Sequence, residues 1–133
     1  MLKEHISYGP LVQKLIKRFN KSEIGNRKSE IVKAFAHITG GGFVDNIPRV
    51  LPKSLDVVIK KGSWDMLPIF QIIEQMSGVP DDELYQVFNM GIGMVSIVSA
   101  DKADAMLKFI KSQKHNAWII GDVVKGQGEA RVV

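Results

Sequence analysis

The sequence has no cysteine, which excludes disulfides, thiolate metal sites and a thiol nucleophile. A reducing cytoplasm is the compartment that fits. No apolar run approaches the ~20 residues a membrane span needs, and Lys3, Glu4, His5 and Lys14 interrupt the first fifteen residues where a signal peptide needs a continuous apolar stretch. No membrane partner is expected. Aromatic residues make up 8%, and with Tyr8 and Phe19 alone among residues 1–33 the basic stretch near the start carries no interleaved stacking platform of the kind single-stranded binding uses. No nucleic-acid partner is expected either. The histidines His5, His37 and His115 share no metal-ligand spacing, so no metal site is read. There is no internal repeat and no low-complexity tract.

What is present is the composition of an ordinary globular chain: 133 residues, 45% hydrophobic and 24% charged. One domain is the expectation. Charge is uneven, because residues 1–33 carry eight Lys/Arg against three Glu, a net of +5, while the other hundred carry ten against eleven, a net of −1. A solvated surface is the plainer reading of this basic stretch.

Gly9-Pro10 opens a segment with Leu11, Leu15 and Ile16 on one stripe, which predicts a helix over 10–19. Residues 21–30 are polar, hold Gly25-Asn26 and read as a mobile loop open to proteolysis. Residues 31–38 read as a buried strand ending at Thr39-Gly40-Gly41-Gly42, followed by one or two helical turns over 43–51 broken by Pro48. A strand is expected over 55–60. The recurrence of Trp64, Leu67, Phe70, Ile73 and Met76 predicts an amphipathic helix along that whole stretch. A shorter helix starts at Asp81, with Leu84, Val87 and Phe88 on its apolar side, then come a strand over 94–98, a helix over 101–113, a strand over 117–124 and a last short strand at 131–133. The alternation predicts an α+β fold, an α/β sandwich with a single mixed sheet and helices packed on it.

Chemistry is concentrated around the triple glycine Gly40, Gly41 and Gly42, since residues without Cβ at a strand end can aim successive N–H groups at one oxyanion. A merely tight strand-to-helix turn is the competing reading. It is not a Walker loop, because no Gly-Lys-Ser/Thr follows. Gly91-Ile92-Gly93 lacks the third glycine of the dinucleotide fingerprint and precedes a strand, so a Rossmann reading fails; close packing and a ligand-facing loop both stand. His37, at the end of an apolar strand, can donate to a phosphate, act as acid or base, or serve as a hydrogen-bonded structural residue. Arg49 is either a second anion contact or an exposed helix-end residue.

Three stretches carry a resemblance: AFAHITGGGFVDNIPRVLP (Ala34 to Pro52), FNMGIGMV (Phe88 to Val95) and WIIGDVVKG (Trp118 to Gly126). Together they closely resemble the C-terminal domain of the phosphoribosylformylglycinamidine cyclo-ligases, the aminoimidazole ribonucleotide synthetases, in order from about Tyr8 to the end. Residues 21–30 depart from the family, which is usually shorter there. The resemblance implies an enzyme of de novo purine synthesis, in which ATP phosphorylates the amide oxygen of formylglycinamidine ribonucleotide and an internal nitrogen closes the imidazole ring with release of phosphate. It implies that His37 hydrogen-bonds substrate or the transferring phosphate. Thr39, Gly40, Gly41, Gly42, Asn46, Arg49, Asn89 and Gly91 would bind substrate or phosphate. Family members also carry an N-terminal domain, roughly as large again, that holds most of the ATP and Mg²⁺ contacts and the dimer interface. The resemblance implies that this chain is without that domain. The implied organisation is therefore a C-terminal domain over 1–133, with 1–30 a linker helix and mobile loop, inactive alone and part of a homodimer in the full-length protein. Two alternatives stand beside it: a non-catalytic nucleotide- or phosphate-binding module, and another ATP-dependent enzyme of the same superfamily, such as a selenophosphate synthetase or thiamine-monophosphate kinase.

Overall fold

A computed structural model describes residues 6–20 and 30–133; the segment expected to be a mobile loop lies almost wholly outside these. The chain divides into two compact units, one made of residues up to Lys33 with Val98–Ala117, the other of Ala34–Ile97 with Trp118–Val133.

The first unit holds α1 (Gly9–Phe19), a 3₁₀ turn (Ala100–Lys102) and α5 (Ala103–Ser112). Pro10 in the first turn of α1 loses no helical hydrogen bond, and Lys17 and Arg18 in the last turn suit the negative end of the helix dipole. Leu11 and Leu15 are buried on the apolar stripe. Phe19 meets the Phe109 ring of α5 edge-on at 5.7 Å, Arg18 lies 5.6 Å from the same ring, and Lys14 donates to Gln113 at 2.9 Å. The side chain of Asn20 donates to the Val32 carbonyl and accepts the Val32 N–H, each at 2.9 Å, a contact inside this unit.

The remaining elements are β1 (Val32–His37), α2 (Gly42–Asn46), a 3₁₀ turn (Ile47–Val50), β2 (Leu55–Ile59), α3 (Pro68–Ser77), α4 (Asp81–Val87), β3 (Met94–Val98), β4 (Gly121–Lys125) and β5 (Ala130–Val132). The α+β class is as expected, but the single sheet is not: β1 pairs with β3, and β4-β2-β5 form a separate mixed sheet. β2 takes the centre of the second sheet, antiparallel to β4 (Val57 opposite Val123) and parallel to β5 (Val57 opposite Ala130), so neither β1 nor β3 can be its neighbour.

Two boundaries also move. The helix expected from Trp64 begins only at Pro68, because the residue before a proline is pushed out of the α region, and Leu67 is extended with φ −65° and ψ 140°. Trp64 is instead a core residue. The strand expected from Ala117 begins at Gly121, opposite Ile59, the last residue of β2.

The core of the second unit is aromatic at its centre. Phe43 sits 5.6 Å from Trp64 and 6.5 Å from Tyr85, while Trp64 meets Tyr85 edge-on at 6.2 Å. Ile38, Ile47, Ile59 and Leu84 close around them, each 2% exposed or less. Burial raises the Tyr85 phenol above its ordinary pKa, with nearby Asp81 adding to the shift. At the far end of β2, Asp56 accepts the backbone N–H groups of Gln127, Gly128 and Glu129 at 2.8–3.1 Å and the Arg131 guanidinium at 3.0 Å. The Glu129 and Gln127 amides chiefly hold its carboxyl below the usual carboxylate range. This carboxylate fixes the turn that returns the chain into β5.

Candidate functional site

In the second unit, Thr39, Gly40, Phe70, Val87, Phe88 and Asn89 line an open cleft of about 270 Å³. Its polar rim comes from two turns, one after β1 and one before β3.

The first turn is shaped from inside by Asn46. This side chain is buried, and its amide nitrogen donates to the carbonyls of Thr39 (3.3 Å), Gly40 (3.2 Å) and Gly42 (2.8 Å), while the Thr39 hydroxyl donates to its oxygen at 3.3 Å. The chain has no cis peptide. In a trans peptide the carbonyl of one residue points opposite to the N–H of the next. Carbonyls of Thr39 and Gly40 gathered on Asn46 therefore turn the N–H groups of Gly40 and Gly41 away from it. The Gly42 N–H closes the turn on the Thr39 carbonyl at 3.1 Å.

The three glycines have different physical reasons. Gly41 has φ +95° and is the N-cap of α2, and a Cβ on it would fall 2.7 Å from the Asp45 side chain. Gly42 has φ +55° and is buried so close to α4 that a Cβ would fall 2.0 Å from the Tyr85 carbonyl oxygen. At Gly40 a Cβ would meet nothing within 4 Å. Gly41 and Gly42 are required by the tight turn, whereas Gly40 faces open space.

The second turn runs from Asn89 to Ile92. The Ile92 N–H donates to the Asn89 carbonyl at 2.9 Å, and the two central residues have φ +49° (Met90) and +92° (Gly91), the φ signature of a type I′ turn. A methionine in this region is strained by about 1–3 kcal/mol. It is held there by burial of its side chain, 1% exposed, and by the Trp64 indole N–H, which donates to its carbonyl at 3.0 Å. The Asn89 side chain accepts the Gly91 N–H at 3.0 Å, which fixes Asn89 at the rim.

Of the residues singled out in the sequence, Thr39, Gly40 and Asn89 come together on the cleft. Gly41 and Gly42 build the turn behind them. Asn46 is turned inward onto the turn carbonyls, and the Gly91 N–H is taken by Asn89, so both support the rim from within. His37 is exposed as the last residue of β1, and Arg49 is exposed in the 3₁₀ turn; neither is among the cleft-lining residues. Sequence reasoning placed Phe70, Val87 and Phe88 on apolar helix faces and missed that they form the cleft's other wall. The available signal was an apolar surplus: α3 carries Ile69, Phe70, Ile72, Ile73 and Met76, more than one helix face can bury.

Among the described residues, no group of three His, Asp or Glu side chains is arranged to hold a metal ion. No helix of the described residues is long and apolar enough to cross a membrane.

The family described as "AIR synthase related protein, C-terminal domain" matches residues 9–133. The chain belongs to this family. Proteins named phosphoribosylformylglycinamidine cyclo-ligase are similar to it. That of Caldicellulosiruptor saccharolyticus is 48% identical over 97 residues, covering 73% of this chain and 28% of the relative. That of Caldicellulosiruptor bescii is 49% identical over 96 residues, 72% and 28% respectively. That of Geobacillus thermodenitrificans is 41% identical over 128 residues, 96% of this chain and 34% of the relative. The AIR synthase-related domain thus spans about a third or less of the length of these relatives. Their shared name favours the cyclo-ligase reading over a selenophosphate synthetase or thiamine-monophosphate kinase.

Proposed function

We propose that this chain is the C-terminal domain of a phosphoribosylformylglycinamidine cyclo-ligase, contributing one wall of the substrate site to an ATP-dependent ring closure. The overall reaction converts formylglycinamidine ribonucleotide and ATP to aminoimidazole ribonucleotide, ADP and phosphate. Both substrates bring phosphate groups, and their charge calls for positioned donors. The observation that carries the reading is the Asn46-held turn, which directs the Gly40 and Gly41 amides away from the buried side beside an open cleft in a domain of this family.

In this reading Thr39, Gly40 and Asn89 contact the ligand directly. Gly41 adds an amide, and Gly42, Asn46 and Gly91 hold the donors in place. His37 hydrogen-bonds substrate or the transferring phosphate, and Arg49 is a second anion contact. ATP and Mg²⁺ are held mostly by a companion N-terminal domain. A cytoplasmic, homodimeric full-length enzyme is part of the same proposal, with the isolated domain inactive.

The test is His37→Ala in a complete cyclo-ligase carrying this domain. Loss of a hydrogen bond to a charged group costs about 1.5–3 kcal/mol, so turnover should fall about 10- to 100-fold. The melting temperature should stay nearly constant, because the side chain is exposed. Unchanged turnover would remove His37 from the site.

A further inference from the structure

The polar rim accounts for only half of the cleft. The other half is the ring of Phe70 from α3, with Val87 and Phe88 from the end of α4. Phe70 and Phe88 are half-buried and meet at 6.2 Å with their planes 61° apart, so they form a fixed apolar corner. Val87 beside them is 55% exposed. A Cβ added at Gly91 would come to 3.8 Å from the Phe70 ring, so the glycine of the Asn89–Ile92 turn lies beside this corner and leaves the ring its space. The polar group, Asn89, and the aromatic one thus line the same cleft.

A ligand of phosphate alone would use the rim and leave this corner wet. At about 270 Å³ the cleft lies near the lower end of small-molecule sites, which run from about 300 Å³ upward. It suits one compact molecule with a charged end and a flat apolar end. Resting on the function proposed above, we infer that Phe70, Phe88 and Val87 form the wall that receives the flat unsaturated portion of a ribonucleotide, the ring or ring-forming amidine, while Thr39, Gly40 and Asn89 receive its polar end. Aromatic side chains present a face to planar π systems, and the wall would discriminate ligands by the presence of that plane.

Calorimetric titration of this chain with two probes tests the assignment. Ribose 5-phosphate carries the sugar and phosphate without a ring, and aminoimidazole ribonucleotide carries the ring as well. The wild-type chain should bind the ring-bearing probe at least tenfold more tightly. Phe70→Leu, which keeps an apolar side chain at a half-buried position, should remove most of that excess and leave ribose 5-phosphate within about twofold. Val87→Ser, at an exposed position, should reduce the excess without disturbing the fold. Equal binding of the two probes by wild type overturns the apolar wall and leaves the phosphate rim intact. A parallel loss for both probes in the two variants overturns it likewise. Failure of both probes to bind overturns the rim and the wall together.

Discussion

At residues 40–42 the chain turns with three consecutive glycines, and at residues 89–92 it turns with one glycine and a buried methionine. The first turn is held from inside by an amide, Asn46, that collects three carbonyls. The second is held from behind by an indole, Trp64, that donates to one. In the first, close approach to α4 and two positive φ values leave no room for side chains, so the backbone is relaxed and the packing is demanding. In the second, packing is satisfied by the Met90 side chain and the backbone carries the strain. The two rims of one cleft thus fail in different ways: the glycine turn is sensitive to added volume, the Asn89 turn to loss of its anchor.

The largest expected effect is at Gly42. Gly42→Ala forces a Cβ against the Tyr85 carbonyl at a left-handed residue, and should destabilise the protein by about 3 kcal/mol or more in denaturant unfolding. A loss below about 1 kcal/mol would mean that α2 and α4 are not packed as described. Next is Trp64→Phe, which keeps most of the buried ring and removes the donor to Met90. It should cost about 1 kcal/mol and weaken ligand binding through Asn89, a combination that a purely structural tryptophan would not give. Smallest is Gly40→Ala, where the new methyl meets nothing and φ is not left-handed. Stability should hold or rise by about 0.5 kcal/mol while affinity for a phosphate ligand falls. A large loss of stability would assign all three glycines to the turn and none to the cleft.

Local rules made much of this legible. The β1 strand, its glycine stop, α1, α4 and α5 follow from periodicity, dipole-matched charge and breakers that act within a few residues. Trp64 was not legible, because its helical spacing with Leu67 and Phe70 is real in the sequence and is overridden by Pro68 between them. The division into two sheets was equally hidden, since which strand takes the centre depends on β5, three residues whose pairing with β2 is long-range. At the site, the glycine triplet marked the place but not the division of labour within it. Asn46 was expected among ligand contacts, whereas its buried amide faces the carbonyls of Thr39, Gly40 and Gly42. Periodicity puts Phe70 and Phe88 on apolar helix faces and goes no further, for a Phe in a cleft and a Phe in a core share one periodicity.

Asn46, by drawing carbonyls inward, is proposed to turn the Gly40 and Gly41 amides toward an anion. ¹H–¹⁵N correlation spectra recorded while ribose 5-phosphate is added test it directly. The largest shifts should fall on the Gly40, Gly41 and Asn89 signals, with the Gln127–Glu129 amides on Asp56 unmoved. Shifts absent from residues 39–41, or strongest at the basic surface of α1, would contradict it.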